Sequence, residues 1–201
     1  MNESMENIIK SLYDIGAVQF GEFRLKSGLQ SPIYIDLRLL PSYPRLLREV
    51  AAALARVAVT LPFQRIAGIP YAGLPIGVAL SLEMDRPLIY PRKEVKEHGT
   101  RKAIEGEYKS GETVLVVDDL VSTGGAKIEA IEPLQAAGLE VHDVLVLIDR
   151  EQGGKEELAA RGYTLHSLFT LSQMLDMLAK HSKITNKQAA KVREYLRGNR
   201  C

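Results

Sequence analysis

Apolar residues recur at Ile8, Ile9, Leu12 and Ile15, the spacing of one helical face, with Ser4 placed to cap the segment and Gly16 to stop it. Two short strand-like runs follow at 18–25 and 33–37, separated by the turn material KSGLQSP. They predict a small hood outside the central sheet. Residues 43–59 predict a long helix. From Arg65 the pattern alternates strand with helix: RIAGIP, LPIGVALSLE, PLIY, VLVVDD, AKIEAIEPLQAAG, VLVLID, KEELAARG, YTLHSLF. This is the pattern of an α/β fold with a central, mostly parallel sheet flanked by helices. Residues 171–180 and 185–196 predict closing helices, with HSKITN as the turn and Thr185 as a cap. No repeat, low-complexity tract or linker interrupts the chain. Residues 1–201 therefore predict one domain, with the hood mainly in 1–40 and the core from about 41 to 201.

The most informative segment is 114–127, VLVVDDLVSTGGAK. Its apolar run is rich in β-branched residues, as in a strand buried on both faces, and it ends at a pair of aspartates. Ser122, Thr123, Gly124 and Gly125 can turn backbone N–H groups and hydroxyls toward an anion. A helix from Ala126 would aim its positive end at the same point. Asp118 and Asp119 would be unhelpful to a phosphate alone, but carboxylates accept hydrogen bonds from a diol. Phosphate plus diol describes ribose 5-phosphate. The plainer alternative is that the aspartates only end a strand and cap a helix. The GxxxxGK[ST] loop and a GxGxxG after a strand are both missing, which sets aside those two nucleotide-binding readings.

Composition narrows the classes. The 201 residues are 46% hydrophobic and 25% charged, ordinary for a globular domain. A net charge of +1 gives no general pull toward nucleic acid or an anionic membrane, so anion binding must come from local clusters. The single cysteine, Cys201, excludes an internal disulfide framework, a cysteine-ligated zinc and an internal cysteine nucleophile. The N-terminus is acidic and amphipathic, and no stretch approaches the roughly 18 apolar residues of a membrane span. The expectation is a cytoplasmic, soluble protein.

One local cluster exists. In 91–102, Arg92, Lys93, Lys96, Arg101 and Lys102 face only Glu94 and Glu97, with His98 beside them. Alone, such a run reads as a solvated surface helix. Next to a phosphate site, a loop of this length with Gly99 and Gly106 as bending points reads as a cationic lid. PYAGLPIG at 70–77 is either a plain strand-to-helix turn or a loop whose backbone approaches a polyphosphate. Lys26 by itself is a turn lysine. Arg150 ends VLVLID at the sheet edge that carries Asp118. It either pairs with Asp149 or Glu151 or offers a two-pronged contact to a planar carboxylate or imide.

VLVVDDLVSTGG resembles the phosphoribosyl pyrophosphate (PRPP) motif of the type I phosphoribosyltransferases. FRLKSGLQSPIYIDLR, PYAGLPIG, YPRKEVKEHGTRKAIEG and LIDREQGGKEEL resemble the orotate phosphoribosyltransferases in particular. KEVKEHGT and DREQGG look most like the transferase half of UMP synthases, while the length leaves no room for a decarboxylase domain. The resemblance implies transfer of the phosphoribosyl group from PRPP to orotate, giving orotidine 5′-monophosphate and pyrophosphate in pyrimidine synthesis. It assigns PRPP contacts to Lys26, Tyr71, Arg92, Lys93, Lys96, His98, Asp118, Asp119, Leu120, Val121, Ser122, Thr123, Gly124, Gly125 and Ala126. Lys96, Asp118 and Asp119 would be the catalytic groups, and Ser122, Arg150, Tyr34 and Ile35 would receive orotate. Two positions depart from the family pattern: Ala72 replaces a lysine of many bacterial relatives, and Ile35 stands where an aromatic is usual.

The same resemblance implies Mg2+ held mainly by the substrate, with no dedicated metal cluster, and a homodimer in which lid loop 91–106 closes over the partner's site. A transferase for another base and a PRPP-binding regulatory protein are the alternatives. The REQGG turn with Arg150 argues against the first, and the cationic lid against the second.

Overall fold

The alternating runs after Arg65 close into one twisted sheet in the structure, a computed structural model that describes residues 3–24, 28–92 and 103–199. In chain order the elements are α1 (Glu3–Asp14), β1 (Val18–Arg24), β2 (Gln30–Ile35), a 3-10 turn (Leu37–Ser42), α2 (Pro44–Ala58), β3 (Arg65–Gly68), α3 (Gly73–Met84) and β4 (Leu88–Pro91). There follow β5 (Ile104–Glu105), β6 (Thr113–Val121), α4 (Gly125–Ala136), β7 (Glu140–Asp149), α5 (Gly154–Ala160), β8 (Thr164–Thr170), α6 (Leu171–Lys180) and α7 (Asn186–Gly198). The six-stranded order is β5-β4-β3-β6-β7-β8, parallel throughout except for β5. β1 and β2 form a separate antiparallel pair.

Strand β6 shows why the sheet needs a layer on each face. Leu115 and Val117 enter one apolar cluster with α1, α2, α3, α6 and α7, while Val114 and Val116 enter another on the α4 side. A strand without a wet face must be covered twice and paired on both edges. Chain direction fixes where the ligand crevice lies. From β3 the chain moves outward to β4, then returns to β6 on the other flank of β3 and proceeds to β7 and β8. The reversal opens a crevice between the carboxyl ends of β3 and β6.

Several boundaries differ from expectation. Ser4 does not cap α1 but lies within it, and its Oγ accepts from the Arg56 guanidinium at 3.1 Å. Glu3 and Glu6 in the first turn complement the helix's positive end instead. The second hood strand covers Gln30–Ile35 rather than 33–37, and Leu37 is buried in the 3-10 turn that Asp36 caps. The β1–β2 hairpin stands apart from the six-stranded sheet, and both α1 (Ile8, Ile9, Leu12) and the hairpin (Val18, Ile33) pack into the main core. β6 continues through Asp118 and Asp119 to Val121, paired with β7 up to Asp149. The segment expected to be loop as far as 106 instead has Ile104–Glu105 paired with Tyr90 and Pro91.

Candidate active site

The crevice at the sheet's reversal point is a cleft of about 490 Å³ lined by residues 69–72, Pro91, Arg92, Asp118, Asp119, Ala126, Glu129, Ala130 and Pro133. The loop after β3 is fixed against β6 by Ile69 N–H donating to Val117 O at 2.9 Å, and the Pro70–Tyr71 peptide is cis. Gly73 makes the approach possible. A Cβ there would sit 2.6 Å from Asp118 Oδ1 and 2.8 Å from Val117 O, so any larger residue pushes the loop off the strand. Tyr71 stands at the rim, largely exposed.

The two aspartates are not equivalent. Asp118 is buried; its Oδ2 meets Lys127 Nζ at 2.5 Å, and its Oδ1 accepts the Asp119 N–H at 2.8 Å. Lys127, one turn into α4, is also buried, so a cation from the helix is spent on holding Asp118. Asp119 accepts the Leu120 N–H at 2.7 Å and lines the cleft. Burial and the neighbouring Asp118 charge push its carboxyl up to about 7, against the opposing pull of Lys127. Both aspartates line the cleft, but Asp118 carries the ion pair with Lys127 and Asp119 is the less buried of the two.

Beyond it, Leu120 packs against the core and Val121 is fully buried, so these two positions face a ligand only through the backbone. Gly124, at φ 90°, turns the chain into α4, whose first residues Gly125 and Ala126 are exposed. The amides of a helix's first turn have no partner within the helix and point toward an incoming anion. The loop is clamped from below: Gly154 N–H donates to Ser122 O at 2.8 Å, and a Cβ on Gly154 would come within 2.6 Å of that oxygen. Gly154 of the REQGG turn thus supports the loop after β6, a role that the sequence signalled only as a turn.

Arg150 follows β7 at the same edge, its N–H donating to Val121 O at 2.9 Å. Its Nε is buried with no hydrogen-bond partner, and burial lowers the guanidinium's pKa. Neither neighbouring acid is spent on it. Asp149 Oδ1 accepts the Glu151 N–H at 2.8 Å, and Glu151 Oε2 accepts the Ser172 N–H at 2.7 Å. A buried donor on a cation in this state calls for an anionic acceptor.

On the hood, Tyr34 OH accepts from Arg38 at 3.3 Å and its ring lies 5.6 Å from that of Phe23, while Ile35 packs against the main core. Successive strand residues point to opposite faces, so Tyr34 and Ile35 do not present side chains to the same side. Arg92 lines the cleft as an ion pair with Glu105, and its N–H donates to Ala103 O at 2.8 Å. Lys26, Lys93, Lys96 and His98 lie outside the described residues, as does most of the expected lid. No group of three or more His, Cys, Asp or Glu side chains among the described residues could hold a metal ion. Likewise, no described helix is long and apolar enough to cross a membrane.

Residues 42–166 match the family model described as the phosphoribosyl transferase domain. The orotate phosphoribosyltransferase of Pyrobaculum islandicum is 38% identical over 96% of this chain and 100% of its own length. The bifunctional enzyme PyrF/PyrE of a Nostoc species is 43% identical over 92% of this chain but 39% of its own. The solved structure of Leishmania donovani UMP synthase superposes with a TM-score of 0.90 at 49% identity, covering 98% of this chain and 43% of that one. The chain thus spans less than half the length of these two longer relatives.

Proposed function

The chain belongs to the orotate phosphoribosyltransferases of the type I phosphoribosyltransferase family, and from that premise we propose that it transfers the phosphoribosyl group of PRPP to N1 of orotate, giving orotidine 5′-monophosphate and pyrophosphate in pyrimidine synthesis. PRPP enters as its magnesium complex, the ion held mainly by substrate oxygens and water, as suits a hard dication. The observation that carries the reading is Asp119 and the exposed start of α4 at one edge of the crevice, acceptor for a diol beside donors for a phosphate.

In this reading the backbone of 120–126 and the hydroxyls of Ser122 and Thr123 hold the 5-phosphate. Asp119 accepts from the ribose hydroxyls, and its negative charge lies near C1 as the C1–oxygen bond to pyrophosphate lengthens and positive charge develops on the ring. Asp118, fixed by Lys127, keeps Asp119 in register and adds to that field. Tyr71, Arg92, Lys93, Lys96 and His98, with Lys26 from the hood, take up charge on the departing pyrophosphate. Lys96 carries the largest share. Arg150 and Ser122 receive orotate, with Tyr34 on the hood side; Ile35, packed against the main core, does not join it. N1 of orotate, its proton lost on binding, attacks C1 opposite the departing pyrophosphate, with inversion and without a protein nucleophile.

Closing residues 91–106 over the partner's cleft in a homodimer would exclude water that otherwise hydrolyses the donor. The setting proposed is the cytoplasm. Pyrophosphate release measured with orotate, uracil, adenine and hypoxanthine in parallel tests the reading. Release with orotate alone is expected. Release with a purine instead would move Arg150 out of the acceptor site, and PRPP binding without release would mark a regulatory protein.

A further inference from the structure

Glu151 adopts φ 58°, one of three non-glycine residues with positive φ among the described ones, and it follows Arg150 directly. The left-handed region is strained for an ordinary side chain and persists only where surrounding contacts impose it. Two contacts do so here. The Glu151 N–H donates to the buried Asp149 carboxylate at 2.8 Å, and the Glu151 side chain reaches across to accept the Ser172 N–H at 2.7 Å.

Ser172 lies in the first turn of α6, where a carboxylate also meets the positive end of the helix. Two amides beside it are served by the capping box. Thr170 accepts from Gln173 N–H, and the Gln173 side chain accepts from Thr170 N–H. Glu151 therefore ties the turn after β7 to the helix after β8. The residue between its anchor and the strand is Arg150, held on the other side by its N–H to Val121 O at 2.9 Å.

We propose that Glu151 is a positioning residue for acceptor specificity: its tie to the start of α6 holds Arg150 aimed at the carboxylate of the acceptor. Nothing in this needs Glu151 to touch a substrate. The inference rests on the reading of Arg150 as the orotate contact, so the test includes both residues.

Steady-state constants for orotate and PRPP are measured on Glu151→Ala, Glu151→Gly, Glu151→Gln, Glu151→Asp and Arg150→Ala, alongside thermal melts. Glu151→Ala is expected to raise the orotate KM about tenfold, with kcat and the PRPP KM within about twofold. Glu151→Gly relaxes the backbone yet loses the tie, and is expected to behave like the alanine variant. Glu151→Gln keeps an acceptor for Ser172 N–H and restores the orotate KM to within about threefold of the parent. Glu151→Asp keeps the charge but not the reach. It should give the same selective rise to a smaller extent, and it decides the matter if the alanine variant does not fold. An unchanged orotate KM in the alanine and aspartate variants, or an equal rise for PRPP, overturns the proposal. If Arg150→Ala itself leaves the orotate KM unmoved, the reading beneath it fails instead.

Discussion

Replacing Asp119 with Asn removes a charge that the fold holds at a cost. The carboxyl is pushed from 3.8 up to about 7 by burial and by the Asp118 charge beside it. A raised acid binds its proton more tightly folded than unfolded, so between those two values the folded state carries more protons and stability falls as pH rises. At about 1.36 kcal/mol per unit, the shift from 3.8 to about 7 amounts to about 4 kcal/mol lost once pH exceeds the folded value. Below pH 4 nothing is lost. Asn is nearly the same shape and keeps an oxygen for the Leu120 N–H. Asp119→Asn should therefore match the parent near pH 4 and exceed it at pH 8. For a chain of this size about 4 kcal/mol corresponds to roughly 8–16 °C in Tm. Thermal melts at half-unit intervals from pH 4 to 8.5 read this out, and turnover of the variant should fall at least a hundredfold over the same range. A Tm difference that does not grow with pH, or a variant less stable than the parent at pH 8, would refute the reasoning.

Two further substitutions test the scaffold of the site. Lys127→Met leaves Asp118 charged and buried without its partner and should cost about 3–5 kcal/mol in urea unfolding, whereas the double variant with Asp118→Asn should recover most of it. Gly73→Ala places a methyl group where Asp118 Oδ1 and Val117 O now lie, so PRPP affinity should fall more than tenfold by titration calorimetry while the far-ultraviolet spectrum stays that of the parent.

The strand, loop and helix over 114–127 were legible because three local rules agree: a β-branched run for a doubly covered strand, small residues for a turn, and apolar spacing for the helix after it. The sheet class followed from the same alternation. What escaped was set by partners distant in sequence. Asp118 and Asp119 looked like a strand's end, yet the ladder with β7 runs past them, because backbone pairing continues wherever the neighbouring strand continues. Lys127 reads as an exposed helix residue until β6 is placed beneath it. Gly73 and Gly154 are recognisable as glycines, but the oxygens that require them, on Asp118 and Ser122, belong to other segments. Glu151 entered the sequence reading only as a neighbouring acid for Arg150, since its partner Ser172 lies 21 positions on. Local spacing carries the elements, and only the assembled sheet edge shows which charges are already taken.

The proposed reaction makes a bond between C1 of the phosphoribosyl group and N1 of orotate. PRPP labelled with carbon-13 at C1, mixed with the protein, magnesium and orotate, reports that bond directly by NMR. Loss of the α-diphosphate resonance and growth of one β-nucleotide resonance that requires orotate are expected. Conversion only to free ribose 5-phosphate, or a spectrum unchanged by orotate, would contradict that reaction.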